Sequence, residues 1–376
     1  MGKQLDCVTW GSDAWNTEKF IREFINFPSK LYNSDTLTTS RKTEKQLLTG
    51  THILSKYFTI MPYIALDNGN VVARAALTYY DNDRNAYIGF FECYEDRMDA
   101  AGLLLNTLIN KARQDVKYDI IGPVDASFWI KYRMKIGYNT DTGLPLREKP
   151  YTNEPYNNTV YFNMWKRAGF EVCDKYYSNH MIIPTSMDSD PRFVEYIQKV
   201  LNRGYELVDM EEKYFDEELS NIYNLMIMLY NDFPCYKYIT EQEFTELFSG
   251  LKHVINFKFA KLAYYNGKLV GFLIALPNYG NIINKDISIV DMAKINNIKH
   301  SAKEYVILYM GVQSKHLGIG AALAELMRKE LEIRNAKSIE ALIHTGKMSG
   351  NYFKPLVEKT SNYVLLKYTL KYARPY

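Results

Sequence analysis

The stretch Val312-Gln313-Ser314-Lys315-His316-Leu317-Gly318-Ile319-Gly320-Ala321-Ala322-Leu323 joins an apolar run ending at Val312 to an amphipathic run beginning near Gly318. A strand that stops and re-forms as a helix leaves several backbone N–H groups without partners, with the helix dipole behind them. Gly318 and Gly320 let the backbone curl against a ligand where a Cβ would block it, and Lys315 adds a positive charge. Such a turn can hold an anion of phosphate size. The spacing fits neither common nucleotide loop, since there is no GxxxxGK[ST] and one glycine of GxGxxG is missing. From the pattern alone, a turn that uses glycine only for tight packing remains the alternative.

The elements that position this turn are read from periodicity, and one order of elements occurs twice. The first half begins with an amphipathic helix from about Asn16 to Leu31 and strands near Tyr57 to Leu66, Val71 to Tyr80 and Ala86 to Cys93. A helix from Met98 to Arg113, a short strand from Tyr118 to Gly122 and a proline-bearing loop over Asn139 to Asn158 follow. The helix "YFNMWKRAGFEV" and a strand from Tyr176 to Ile183 complete this half, and Pro184 to Pro191 reads as a linker. The second half has helices near Arg192 to Asn202, Asp216 to Tyr230 and Glu241 to Leu251, with the strand "YELVDM" after the first. A hairpin turning at Asn266-Gly267 comes next, then the strand "EYVILYMGV", the glycine turn and a helix to about Arg334. The strand "SIEALIH", a short helix near Tyr352 and the strand "YVLLKYTLKY" end the chain. This order implies α/β (α+β) layers with helices on both faces of a sheet.

At 376 residues two domains are expected, and a composition of 47% hydrophobic and 24% charged residues is globular. A net charge of +3 is too small to argue for a nucleic-acid or membrane surface, so neither partner is expected. No apolar run approaches the roughly 18 residues that span a bilayer, nor does the N-terminus resemble a signal peptide, so a cytoplasmic location is expected. Cys7, Cys93, Cys173 and Cys235 stand far apart with no His at ligand spacing, which suggests buried thiols and no metal. Most of the 32 tyrosines stand in strand-like runs and read as packing residues.

The stretch "LYMGVQSKHLGIGAALAELM" resembles the acyl-CoA pyrophosphate loop of the GCN5-related N-acetyltransferase (GNAT) superfamily. That signature is Arg or Gln, two residues, Gly, one residue, then Gly or Ala, and Lys315, Gly318 and Gly320 occupy its positions. The hairpin at Asn266-Gly267 followed by "LVGFLIALP" resembles the family's second and third strands, so the likeness runs over roughly Tyr205 to Tyr372. The first half resembles the same fold with the loop lost. There "FFECYEDRMDAAGLL" sets Glu92, Glu95, Asp96 and Asp99 where a pyrophosphate would meet them, and like charge opposes binding. The resemblance implies two tandem acyl-CoA N-acyltransferase-like domains, each a mixed, mostly antiparallel sheet with helices on both faces. Residues 1–188 would be a degenerate copy and 189–376 the cofactor-binding domain.

The resemblance also implies roles. Acetyl-CoA would be the acyl donor, held by Met310, Gly311 and Val312 on the central strand and by Lys315, His316, Leu317, Gly318, Ile319, Gly320 and Ala321 in the loop. Asn351 either bonds the pantetheine amides or caps a helix. The family's acid is often a Tyr four residues before a final Gly-Phe; in the best register that position is Leu356, and Tyr352 and Tyr363 are the nearest phenols. Glu304, opening the central strand, is the candidate base. The activity implied is an N-acetyltransferase acting by direct attack of a small-molecule or peptide amine, from a monomer or homodimer. The alternatives are a catalytically inactive ligand- or partner-binding protein and a Fem-type aminoacyltransferase, against which the mild net charge argues.

Overall fold

The computed structural model describes residues 5–9, 17–137, 148–347, 350 and 352–370. The first elements are β1 (Leu5–Thr9), α1 (Thr17–Asn26), α2 (Pro28–Leu31), α3 (Arg41–Leu48), β2 (Phe58–Asp67), β3 (Asn70–Tyr80) and β4 (Ala86–Cys93). Next come α4 (Met98–Gln114), β5 (Asp119–Gly122), β6 (Val124–Asp125), β7 (Lys131–Tyr132), β8 (Met134–Ile136), α5 (Tyr161–Arg167) and β9 (Glu171–Met181). Strand β4 is buried at every position, so its apolar residues run without the alternation of a one-faced strand. Asn68 (φ 49°) and Gly69 (φ 81°) join β2 to β3, the left-handed pair that a tight hairpin needs. Helix α4 lays Ala101, Leu104, Leu105 and Leu108 into a core that also holds Trp165 and Phe170.

The later elements are α6 (Pro191–Asn202), β10 (Tyr205–Asp209), α7 (Phe215–Tyr230), α8 (Glu241–Phe248), α9 (Leu251–Val254), β11 (Ala260–Tyr265) and β12 (Lys268–Pro277). They continue through α10 (Ile289–Ser301), β13 (Glu304–Val312), α11 (Ile319–Arg334), β14 (Lys337–His344) and β15 (Val357–Thr369). The β11–β12 hairpin turns at Asn266 (φ 51°) and Gly267 (φ 70°), repeating the turn of the first half. Side-chain caps fix the helix starts: Asp190 for α6, Thr240 with Glu243 for α8, and Ser288 with Asp291 for α10. Near Tyr352 the expected short α-helix is instead a 3-10 turn over Lys354–Leu356. Pro355 removes a backbone donor there, and the β-branched Val357 already belongs to the last strand.

The chain forms two compact units, each, among the described residues, a mostly antiparallel sheet with one parallel pair and packed helices. Unit 1 is Met1–Lys175 with Asn284–Asp286 and Asn362–Tyr376; unit 2 is Tyr176–Ile283 with Ile287–Ser361. These bounds differ from a cut after residue 188 because two strands pair far from their sequence neighbours. In unit 1 the order is β1-β2-β3-β4-β5 and then β15, whose Leu366 stands opposite Gly122 and whose Tyr363 stands opposite Lys135 of β8. In unit 2, β9 lies beside β14 with Met181 opposite Ser338 and Tyr176 opposite His344, followed by β13, β12, β11 and β10. Among the described residues no helix is long and apolar enough to cross a membrane.

Since Val364 and Leu366 belong to the unit 1 core, unit 1 depends on the far end of the chain. A chain ending at residue 361 should lose the unit 1 fold, each lost core leucine alone costing about 2–5 kcal/mol. Trp165, fully buried in that core, reports the loss as a red shift of tryptophan emission. An unchanged emission maximum and melting curve would show that the strand is dispensable.

Candidate functional site

The site in unit 2 begins where two strands part. Strands β13 and β14 are the unit's parallel pair, and their register runs only from Glu304↔Lys337 to Ile307↔Glu340. Beyond it β13 continues to Val312 beside β12, while β14 continues beside β9. Each strand carries an irregularity at the parting. Leu308 is the extra residue of a bulge between the Ala275↔Ile307 and Ile274↔Tyr309 pairs. In β14 the register with β9 shifts between Glu340 and Ile343, with Leu342 in the left-handed region (φ 61°) and its N–H donating to Ser178 Oγ at 2.9 Å. The edge of β13 from Leu308 to Val312 is thereby left without β14 as a ladder partner, a wedge into which an extended chain can add as a strand. Tyr230 of α7 reaches this edge and donates from its hydroxyl to the Met310 carbonyl at 3.2 Å.

The glycine turn closes one end of the wedge. Gly318 is the N-cap of α11 in the left-handed region (φ 92°), and no side chain caps the helix. The first turn of this 16-residue helix thus has no side-chain acceptor for its N–H groups, with the helix dipole behind them. A Cβ on Gly318 would come within 3.1 Å of the Tyr196 ring, and one on Gly320 would overlap the Tyr352 hydroxyl and approach Met310 Cε at 3.3 Å. The turn therefore brings Met310, Gly318, Gly320 and Tyr352 together. Lys315 and Leu317 are exposed, whereas Ile319 is fully buried and its N–H donates to the His316 carbonyl at 3.4 Å. His316 also turns inward: its Nδ1 bonds the Tyr205 hydroxyl at 2.8 Å, and burial, with Lys315 second, lowers its pKa. It is a neutral packing group at physiological pH. Gly311 is small because Leu229 and Phe272 crowd its Cα, and Ala321 is buried at the helix start.

Sequence reasoning missed the acidic group nearest the parting. Glu340 is the last residue of the β13–β14 ladder and is buried; Asn179 Nδ2 donates to it at 3.2 Å. Burial pushes its carboxyl up to about 8. In the sequence it is one polar residue in the run SIEALIH, and no local pattern marks its burial. Tyr352 is half-buried, and burial, then the charge of Glu340, raises its phenol above the ordinary value. At the end of β14, His344 packs edge-on to Tyr176 at 5.1 Å and near Phe233 at 5.9 Å.

Two of the expected catalytic residues lie elsewhere. Tyr363 belongs to unit 1, where it is fully buried and its hydroxyl donates to Glu154 Oε1 at 2.6 Å, with Tyr151 Oη at 3.2 Å. Lys135 pairs with the same Glu154 oxygen at 2.9 Å, so Tyr363 is part of a buried ionic network. It left its sequence neighbours because β15 runs on into the unit 1 sheet. Glu304 opens the paired part of β13 and accepts from Asn278 Nδ2. It lies four residues, roughly 13 Å along the strand, from the Leu308 bulge. Asn351 lies outside the described residues.

Unit 1 has the corresponding parting, and its own chain fills it. Parallel pairing of β4 with β5 stops after Ala86↔Ile120 and Tyr87↔Ile121. The chain then crosses β4: a Cβ on Gly89 would overlap the Val124 carbonyl, and Phe90 N–H (φ 53°) donates to Asp125 Oδ1 at 2.5 Å. At the start of α4, Arg97 pairs with Asp67 at 2.7 Å and Asp99 at 2.9 Å, keeping carboxylates at the helix N-terminus. Glu92 is not part of that acidic turn. It is buried in β4 and accepts from the hydroxyls of Tyr32 at 2.7 Å and Tyr161 at 2.9 Å.

No protein-family model matches the sequence, and no curated protein matches it. Among solved structures the chain is similar to the GCN5-related glucosamine N-acetyltransferase region of a fungal multi-domain GH3 β-N-acetylglucosaminidase. That match has a TM-score of 0.53 and 10% identity, over 98% of this chain and 38% of that one. A tandem GNAT protein from the clavulanic acid biosynthesis pathway matches with TM-score 0.49 and 11% identity, over 98% of this chain and 100% of that one. A GCN5-related N-acetyltransferase from Kribbella flavida matches with TM-score 0.45 and 10% identity, over 98% and 71%. With the order of elements found in each unit, the parted parallel strands and the glycine turn, the chain has the GCN5-related N-acetyltransferase fold.

Proposed function

We propose that unit 2 binds acetyl-CoA and transfers its acetyl group to a small-molecule or peptide amine. The observation that carries this reading is that the wedge edge of β13 and the uncapped start of α11 meet at one place. The first-turn N–H groups around Gly318–Ala321, with Lys315 beside them, suit the pyrophosphate. The edge from Leu308 to Val312 suits the extended amide arm, whose partner in the present structure is the Tyr230 hydroxyl at the Met310 carbonyl. When bound, acetyl-CoA supplies a thioester whose C–S bond breaks as the amine nitrogen bonds to the carbonyl carbon. Backbone N–H groups of β13 within Met310–Val312 stabilise the oxygen as charge develops on it. The amine gives up one proton to solvent or base, and the departing sulfur takes one. Tyr352 is the donor of choice for the sulfur: its hydroxyl stands at Gly320 beside Met310, and a phenol is protonated at neutral pH. One observation favours the rival reading of an inactive ligand-binding unit, namely that the Tyr352 hydroxyl already fills the space above Gly320.

Release of free thiol from acetyl-CoA in the presence of amines tests the reading. The parent protein should release thiol. Tyr352→Phe should lower kcat by about 10²-fold or more while leaving acetyl-CoA affinity within about twofold. Equal turnover by parent and variant would remove Tyr352 from the chemistry. If millimolar acetyl-CoA neither reacts nor raises the melting temperature, the inactive reading replaces this one, since a ligand at a hundred times its dissociation constant adds about 2.7 kcal/mol.

Glu340 gives a separate check by pH. Its carboxyl rises from 4.5 to about 8 on folding, so the folded chain holds a proton that the unfolded chain has released. The resulting stabilisation is complete below about pH 4.5 and is lost as pH rises to about 8. The parent should therefore lose melting temperature relative to Glu340→Gln across that window and run parallel to it above. Parallel curves throughout would mean that Glu340 titrates normally.

A further inference from the structure

Helix α6 lies beside the glycine turn, and the reading above leaves it unused. It runs antiparallel to α11. Before its start Ser189 Oγ donates to Glu325 Oε1, in the second turn of α11, at 2.7 Å. Further along, the Phe193 ring lies 6.0 Å from that of Tyr352, and Tyr196 Cδ1 stands 3.1 Å from where a Cβ of Gly318 would be. Past the end of α6, the Tyr205 hydroxyl bonds His316 Nδ1 at 2.8 Å. The second half of α6 therefore projects beyond the start of α11, along the side from which an anion approaches that helix.

This half carries charge in register with Tyr196. Lys199 and Arg203 follow it at three and seven residues, so the three share one helix face, with Arg203 about 10 Å along the axis from the ring. All three are exposed, as is Lys315 in the turn. Lys199 Nζ lies 5.9 Å from the Tyr196 ring centroid and pairs with Glu195 at 2.7 Å. Among the described residues neither Arg203 nor Lys315 has an acidic partner. The apolar part of the same surface is Tyr196, 40% exposed, and Leu317 of the turn, 78% exposed. A bare phosphate would use the cations and leave the ring and Leu317 in water, whereas an apolar guest would use the ring and leave the cations idle. A flat base on a phosphorylated sugar uses both, since bases stack on aromatic rings and cations suit phosphate. Resting on the reading of unit 2 as an acetyl-CoA-dependent transferase, we infer that α6 recognises the nucleotide end of the donor: the adenine ring stacks on Tyr196 beside Leu317, and Lys199, Arg203 and Lys315 face the 3′-phosphate. A pyrophosphate held at the turn puts the base one ribose away, and Tyr196 already touches the turn at Gly318. Unit 2 thereby selects a nucleotide-bearing thioester over the same thioester on phosphopantetheine alone.

Calorimetric titration of the intact protein with acetyl-CoA, acetyl-dephospho-CoA and S-acetyl-4′-phosphopantetheine tests this selection. Acetyl-CoA should bind at least tenfold more tightly than the phosphopantetheine thioester. Tyr196→Ala should weaken acetyl-CoA about tenfold, within the range of one base–aromatic stack, and leave the phosphopantetheine thioester within about twofold. Tyr196→Phe, which keeps the ring, should bind acetyl-CoA as the parent does. Arg203→Ala should weaken acetyl-CoA and leave acetyl-dephospho-CoA unchanged; equal weakening of both would take the 3′-phosphate off this face. Equal affinity of the parent for acetyl-CoA and the phosphopantetheine thioester, or an equal loss of both in Tyr196→Ala, would overturn the inference and leave the transferase reading standing. Should no thioester bind, the transferase reading fails, and adenosine 3′,5′-bisphosphate alone decides α6. Heat of binding in the parent that Tyr196→Ala lacks supports a nucleotide site there; no heat in the parent refutes it.

Discussion

The hydrogen-bond ladder between β13 and β14 ends at Ile307 and Glu340, and the functional geometry of unit 2 depends on that ending. A parallel pair that stayed zipped to Val312 would leave no edge for an extended ligand and would bring the start of α11 against closed sheet. Two local defects separate the strands, the extra residue at Leu308 and the left-handed Leu342 with its bond to Ser178. Once they part, the Met310 carbonyl takes the Tyr230 hydroxyl, and the glycine turn stands at the mouth.

Unit 1 shows the same constraint resolved the opposite way. Its β4–β5 ladder is also short, but Val124 and Asp125 cross into the gap, and the Asp125 carboxylate accepts the Phe90 N–H at the position that corresponds to the open edge of unit 2. Gly89 is indispensable to this closure because any side chain there would strike the Val124 carbonyl. The plug satisfies the strand edge internally, and Asp99, paired with Arg97, places a carboxylate at the dipole end of α4. A fold built twice thus has one slot closed by its own chain and one left open.

What was legible in the sequence was what is local. The Asn266-Gly267 hairpin needs two left-handed residues in a row, the apolar run before Val312 has no other use than a buried strand, and Gly318 is the only residue type that caps α11 without strain at φ 92°. What was not legible depends on distant partners. Tyr363 reads as the start of a strand near Tyr352, yet β15 carries it to Lys135 and Glu154. Glu340 is one polar residue in an apolar run, and burial alone, against the opposing hydrogen bond from Asn179, makes it a high-pKa acid. Helix α10 escaped notice because its apolar residues follow no face: Ile289, Val290 and Met292 are all exposed.

The number of acyl-CoA sites the chain offers follows most directly from one open and one closed strand edge. Calorimetric titration of the intact protein with acetyl-CoA measures this number without reference to any acceptor amine. With unit 1 plugged at Phe90 and Asp125 and unit 2 open from Leu308 to Val312, one molecule should bind per chain. A stoichiometry of two would show that the plug yields, and the absence of binding would show that the wedge and the glycine turn hold no acyl-CoA.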